Sequence, residues 1–250
     1  MKILLVNDDG YSAEGLVALA TTLIEAGHTV NVVAPENGCS GDSHAVTFYK
    51  PIKVRKVTEY KWGCYAIEGH PADCTKIALR HFFVDDLPDL VLSGINNLPN
   101  VGDDIMYSGT ANAAAEASND GLPAIALSGS AESHEDFAYF CALFMANFDY
   151  FVSLTNKNSA LNVNFSDDRS GALRPKITQM GVHKYYDYYV VDDKDNPTVA
   201  KIEGYPVDAV TPADSDVVWF KKGYTTITPL ALNRTDFARL DVLKKEIKNV

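Results

Sequence analysis

Basic charge is what this chain most lacks. Its 22 Lys and Arg stand against 33 Asp and Glu, a formal net charge of −11. An acidic surface repels a long polyphosphate backbone, which excludes docking on extended nucleic acid. It does not exclude a small phosphorylated substrate, because a bound cation inverts the local field. Long apolar runs are missing too. No stretch of eighteen or more apolar residues occurs, so no membrane-spanning helix is expected. No basic segment followed by an apolar run precedes the first strand, so no signal peptide is expected and the cytoplasm is the expected compartment. Cysteine is scarce: Cys39, Cys64, Cys74 and Cys141 form no C-x-x-C pair. That excludes a zinc knuckle or thioredoxin motif and leaves reduced, mostly buried thiols. The six histidines show no H-x-x-x-H spacing.

Several α/β chemistries are excluded the same way. There is no G-x-G-x-x-G after the first strand and no G-x-x-x-x-G-K-[ST]. Gly38-Cys39-Ser40-Gly41 lacks the G-x-S-x-G spacing of a nucleophile elbow. The acids after the first strand are adjacent, not D-x-D as in haloacid-dehalogenase-type phosphatases. A response-regulator receiver wants an acceptor Asp at a later strand end, where this chain has Ser93 and Asn96.

What is present begins with Lys2-Ile3-Leu4-Leu5-Val6-Asn7-Asp8-Asp9-Gly10. An apolar run closed by polar residues and Gly reads as a buried parallel strand, with a ligand site outside its carboxyl end. Two carboxylates there repel each other and lose solvation, and a hard divalent cation relieves both costs. Asp-Asp-Gly is also good turn chemistry, so the pair alone does not decide between a turn and a site.

The chain has 250 residues, 46% of them hydrophobic, which suffices for one large domain or a domain with an appendage. Residues 12–26 carry helical spacing with Ser12 as N-cap and Gly27 as stop. Residues 29–34 read as a second strand, completing a right-handed βαβ unit. Weakly alternating residues 46–69 read as short β segments. A helix is expected over 71–83, a strand over 87–93, an Ala-rich helix from Ser108 to about Gly121, and a strand over 123–128. One long aromatic helix is expected over 133–154 and a strand over 161–165. From about 175 to 228 the Tyr/Val/Thr-rich pattern, with turn formers at 192–197, reads as β-hairpins. Thr235 is expected to cap a final helix reaching about Asn249. The fold class is therefore α/β: a Rossmann-like three-layer core with a mostly parallel sheet, plus a C-terminal β-hairpin extension and terminal helix. The core is expected over 1–174. The extension over 175–250 is expected to return to it within one structural unit.

Three loops share the sheet edge that holds Asp8 and Asp9. Ser40 follows the second strand, Asn96 follows the strand ending at Ser93, and Ser108-Gly109-Thr110 opens a helix. Carboxylates, a hydroxyl and an amide oxygen are all hard donors. A helix start offers N–H groups and the positive dipole end to a phosphate oxygen, though a lone S-G-T is more often a simple cap. His44, close behind Ser40, is a candidate substrate contact. Tyr185, Tyr186, Tyr188 and Tyr189 read as hairpin packing or an interface.

These residues, taken together, resemble the SurE (survival protein E) nucleotidase family. The resemblance lies in Val6-Asn7-Asp8-Asp9-Gly10, Val33-Ala34-Pro35 with Ser40-Gly41, and Gly69-His70-Pro71-Ala72-Asp73-Cys74. It continues through 88–96 with Ser93-Gly94-Ile95-Asn96, then Tyr107-Ser108-Gly109-Thr110, then 121–128. Residues 211–216 and 227–230 resemble later family segments. His70 stands where the family usually has Thr, Leu98 where it has Gly, and Ala111-Asn112 where it has a Val-Gly-like pair.

The resemblance implies a metal-dependent phosphomonoesterase acting on nucleoside 5′- and often 3′-monophosphates, sometimes on polyphosphate. It implies one Mg²⁺ or Mn²⁺ per subunit held by Asp8, Asp9, Ser40 and Asn96, with Asp8 and Asp9 catalytic. Substrate phosphate is expected at Asn96, Ser108, Gly109, Thr110, Gly41, Ser43 and His44. It also implies a homodimer or homotetramer that exchanges C-terminal segments. A non-catalytic metal- or nucleotide-binding regulator, or a metal-dependent hydrolase of a non-phosphate substrate, would use a similar acidic pocket and stays open here.

Overall fold

The computed structural model describes residues 1–169 and 173–246. In chain order the first elements are strand β1 (Lys2–Val6), helix α1 (Glu14–Glu25), strands β2 (Thr29–Pro35), β3 (Val54–Val57) and β4 (Gly63–Ile67), and helix α2 (Pro71–Ile77). Then come β5 (Leu90–Asn96), α3 (Gly109–Asn119), β6 (Ala124–Gly129), α4 (His134–Ala146), α5 (Phe148–Ser153) and β7 (Ser159–Phe165). The C-terminal part holds β8 (Pro175–Ile177), β9 (Lys184–Val191), β10 (Ala200–Val207), α6 (Asp216–Lys221), β11 (Thr225–Ala231) and α7 (Phe237–Glu246).

Nine strands form one sheet in the order β3-β4-β2-β1-β5-β6-β7-β11-β8. From β4 through β7 neighbours run parallel, while β3 and β11 run antiparallel to β4 and β7. This is the expected mostly parallel α/β sheet. Among the described residues β9 and β10 pair only with each other, as a hairpin from Lys184↔Val207 to Val191↔Ala200.

The uninterrupted apolar run of β1 follows from burial on both faces. Ile3 and Leu5 point to one side with Leu16, Leu19 and Leu23 of α1 and the aromatics Phe137, Phe140 and Phe144 of α4. Leu4 and Val6 point to the other, against Cys74 and the alanines of α3. Successive side chains of a strand take opposite faces, so a strand covered on both sides carries no polar alternation. α3 is buried at every residue from Gly109 through Ser118, and its small side chains allow that depth.

Several boundaries differ from expectation for local reasons. α1 begins at Glu14, one turn-forming residue later than a Ser12 cap would place it. The helix expected over 71–83 is α2 followed by a π turn at Ala78–Phe82, where Phe83 N–H donates to the Ala78 carbonyl. The aromatic helix is broken in two at Asn147, which leaves the helical region while its side-chain amide donates to the Leu143 carbonyl. α6 lies in a region expected to be all hairpin. α7 is described as far as Glu246, and the expected terminus near Asn249 lies outside the described residues.

Strand order reverses at β1: the chain first builds outward through β2 and β4, then crosses to β5 on the other side. Asp8 and Asp9 leave the end of β1 and Asn96 ends β5, on either side of that switch point. Crevices of open α/β sheets form there.

Candidate active site

The acidic turn is braced by its own residues. Asn7, buried, donates from Nδ2 to the Gly10 carbonyl (2.9 Å) and accepts the Gly10 N–H at Oδ1 (3.2 Å). The Asp8 carbonyl accepts the Cys39 N–H at 2.7 Å, and the Pro35 carbonyl accepts the Tyr11 N–H at 2.9 Å. The Ser40 loop is thereby fastened to the turn it must join.

Asp8 is only 5% exposed. Burial pushes its carboxyl up from the usual range, opposed by hydrogen bonds from the Thr110 hydroxyl and from the Gly109 and Thr110 N–H groups. The start of α3 therefore addresses Asp8 first. Ser108 caps that helix by accepting the Ala111 N–H at Oγ (3.0 Å). Gly109 is required by proximity: a Cβ there would lie 2.6 Å from Asp8 Cβ and 2.9 Å from Pro71 Cγ. Asp9 is pushed up to about 6 by burial and then by the Asp8 charge. It lines a cavity of about 290 Å³ with Glu14, Asn97, Glu132, Ser133 and Phe137.

Asn96 sits where the β5–β6 register shifts between Ser93 and Asn96. Its Nδ2 donates to the Leu98 carbonyl at 2.7 Å, which leaves Oδ1 to face elsewhere. Gly94, at φ +122°, permits the approach: a Cβ there would lie 2.2 Å from the Leu127 carbonyl oxygen. Ser40 and Gly41 are exposed, and Gly41 takes φ +85°. Ser43 draws their loop onto the segment before α3, its Oγ donating to the Met106 carbonyl (2.5 Å) and its N–H to the Tyr107 carbonyl (3.0 Å). His44 Nε2 lies 2.7 Å from Glu116, which Lys76 also reaches at 2.6 Å. These two contacts hold the Glu116 carboxyl down at about 2 despite its burial. His44 also lines a mostly apolar cavity of about 530 Å³ along α3, with Met106, Asn112, Met180, Leu230 and Arg234.

Sequence reasoning did not find Asp42, Asp73 or Glu116. Asp73 accepts the Thr47 N–H and hydroxyl, and Asp42 meets His70. No spacing rule joins residues this far apart. The only local signal is a buried acid at a helix start, as at Asp73.

The residues suit a hard cation. Two adjacent carboxylates are both held above their ordinary range by burial, and no ion-pair partner reaches either among the described residues. No group of three or more His, Cys, Asp or Glu gathers among the described residues, so any cation at Asp8 and Asp9 would need its further ligands from hydroxyl, amide or water oxygens. Asp8, Asp9, Ser40 and Asn96 supply oxygen donors at the ends of β1, β2 and β5. Mg²⁺-like ions take few protein oxygens and keep several waters.

A family model described as "Survival protein SurE" matches residues 3–187. The chain belongs to the SurE family. It is 36% identical over 256 residues to the 5'-nucleotidase SurE of Desulforudis audaxviator (strain MP104C), covering 98% of this chain and 97% of that one. It is 37% identical over 269 residues to the 5'-nucleotidase SurE of Campylobacter lari, covering 99% of each. The crystal structure of the SurE protein from Aquifex aeolicus superposes with a TM-score of 0.81 at 32% identity, covering 98% of this chain and 99% of that chain. SurE membership thus spans the α/β core and, through the full-length relatives, the C-terminal extension.

Proposed function

We propose that this chain is a metal-dependent phosphomonoesterase that hydrolyses nucleoside 5′-monophosphates, and also 3′-monophosphates, to nucleoside and phosphate, with short polyphosphate as a further substrate. The single observation that carries the reading is the adjacent Asp8-Asp9 pair at the sheet's switch point, Asp8 buried and Asp9 half-buried, unmatched by any basic side chain among the described residues. The activity borne by the names of its relatives supports it.

Asp8, Asp9, Ser40 and Asn96 would hold one Mg²⁺ or Mn²⁺. Such an ion neutralises charge on the phosphoryl group and lowers the pKa of a bound water. Asp8, its direction set by Thr110, orients or deprotonates the attacking water. The second Nδ2 N–H of Asn96 and the hydroxyl and N–H donors of the Ser108–Thr110 segment would face the phosphoryl oxygens as their charge grows. The nucleoside is assigned to the cavity along α3, because His44 and Met106 line it and Ser108 follows within two residues of Met106. Its volume, about 530 Å³, lies in the range of small-molecule sites. We place the enzyme in the cytoplasm, where its four free thiols stay reduced. No helix among the described residues is long and apolar enough to cross a membrane. We also assign a homodimer or homotetramer with exchange of C-terminal segments.

The test is phosphate release from AMP and GMP with Mg²⁺ or Mn²⁺, with and without EDTA, for the parent and Asp8→Asn. The parent should release phosphate only with the cation. The variant should lose about 10³-fold in turnover while keeping its far-UV spectrum. Near-normal turnover by the variant overturns the assignment of Asp8. A parent that binds nucleotide without hydrolysis, or cleaves only non-phosphate esters, overturns the function.

A further inference from the structure

Ser40 lies in an exposed loop, and nothing among the described residues holds its own side chain. Its position is set by the backbone between two anchors, the Cys39 N–H on the Asp8 carbonyl and Ser43 on residues 106 and 107. Between them one side-chain tie crosses to a regular element. Asp42 Oδ2 lies 2.6 Å from Nδ1 of His70, the residue that caps α2. A second, weaker link runs beside it, from Cys39 Sγ to the Gly69 carbonyl at 3.7 Å.

His70 is a firm post. Its N–H donates to Asp73 Oδ2 at 3.0 Å, and Pro71 restricts its backbone to the extended region it adopts. Pro71 in turn packs so close to Gly109 that a Cβ on Gly109 would meet its ring at 2.9 Å, and the same Cβ would strike Asp8. The starts of α2 and α3 and the Asp8 carboxylate are therefore one braced unit.

We propose that His70 is a positioning residue of this site: through Asp42 it ties the Ser40-bearing turn to the unit that carries Asp8, and so holds the Ser40 hydroxyl within reach of the cation. This rests on the metal site proposed above. A Thr at this position would cap the helix well but is too short to span the distance the imidazole covers to Asp42. The pair is about a third exposed on each side (37% and 32%), so its loss weakens binding several-fold and not by hundreds.

The test is calorimetric titration of Mn²⁺ into metal-stripped full-length protein, for the parent, His70→Thr, Asp42→Asn and the double variant, followed by kinetics on AMP. His70→Thr keeps a helix cap and removes only the tie. We expect its Mn²⁺ dissociation constant to rise about fivefold, with the KM for AMP rising alongside. The kcat at saturating Mn²⁺ and AMP should stay within about twofold, because the filled site restores the turn. In the Asp42→Asn background the same change should have no further effect. His70→Asn, also a good cap, carries the same expectation should His70→Thr not purify folded. Unchanged Mn²⁺ affinity in His70→Thr, or an equal loss with Asp42 already gone, overturns the assignment of His70 alone. A parent that binds no Mn²⁺ overturns the proposed metal site and this inference with it.

Discussion

At the scale of single residues, the Asp8-Asp9 pair is costly to fold, and Asp9 makes that measurable. Its carboxyl is pushed up to about 6 by burial and by Asp8. Below about pH 4 the proton is bound both folded and unfolded, so the group is neutral to stability. Between about 4 and 6 the unfolded chain gives up the proton first, and rising pH disfavours the fold. Above about 6 the penalty is complete, on the order of 2 kcal/mol after allowing for partial solvent contact. Asp9→Asn removes it. In EDTA, the urea midpoint of the variant should pull ahead of the parent as pH rises from 4 to 6, then hold a constant lead. A lead that is flat across that window, or larger at pH 4, would show that Asp9 is not strained in the metal-free fold. Excess Mn²⁺ should close the gap at neutral pH by binding the parent's folded state.

At the scale of elements, regular segments were legible wherever a hydrophobic period reported burial, and were not where a side chain far along the chain decided a boundary. β1, β2, β5 and β6 could be read because strands covered on both faces must be continuously apolar. Asp8, Asp9, Ser40 and Asn96 could be placed at one edge because strand ends point the same way in a parallel sheet. The break at Asn147 could not be read, since Asn is tolerated in helices and its bond to Leu143 is a local choice. α6 was hidden because its six residues carry no period long enough to see. What anchors it is Asp216, fully buried, whose carboxylate accepts N–H groups from Gly102 (3.0 Å), Gly181 (2.7 Å) and Val217 (2.8 Å). Those bonds draw the segment before β9 and the 3₁₀ turn at Gly102–Met106 onto α6, just ahead of the Ser108 cap. Asp216→Asn keeps the shape but turns an NH₂ group against a backbone donor. The cost should be about 2–3 kcal/mol, a fall of roughly 5–10 °C in Tm for a domain of this size. A Tm within a degree of the parent would show that the three bonds do not hold this junction.

At the scale of the whole molecule, the burial is lopsided. The central strands β1, β2, β5, β6 and β7 and the helices α1 and α3 bury most of their apolar side chains, yet β9 and β10 expose Tyr186, Tyr189, Ile202 and Tyr205 at 54–67%. α7 buries none of its described residues. A two-stranded ribbon is marginal in water on its own, and it gains stability by packing against something else. A second copy of the chain, which carries the same ribbon, is the occupant that needs no further component. The ribbon is also removable in principle. Tyr185 pairs with Pro206 across it, and cross-strand Cα atoms lie about 5 Å apart, a gap that a short turn closes. Replacing residues 186–205 by Gly-Ser-Gly leaves Lys184 on Asp103 and leaves all nine strands of the main sheet in place. The parent should sediment as a dimer or tetramer and the shortened chain as a smaller species, with Mn²⁺ still bound, because Asp8, Asp9, Ser40 and Asn96 all lie in the sheet's own loops. An unchanged sedimentation mass after excision, or a parent that is already a monomer, would show that the exposed tyrosines serve something other than self-association.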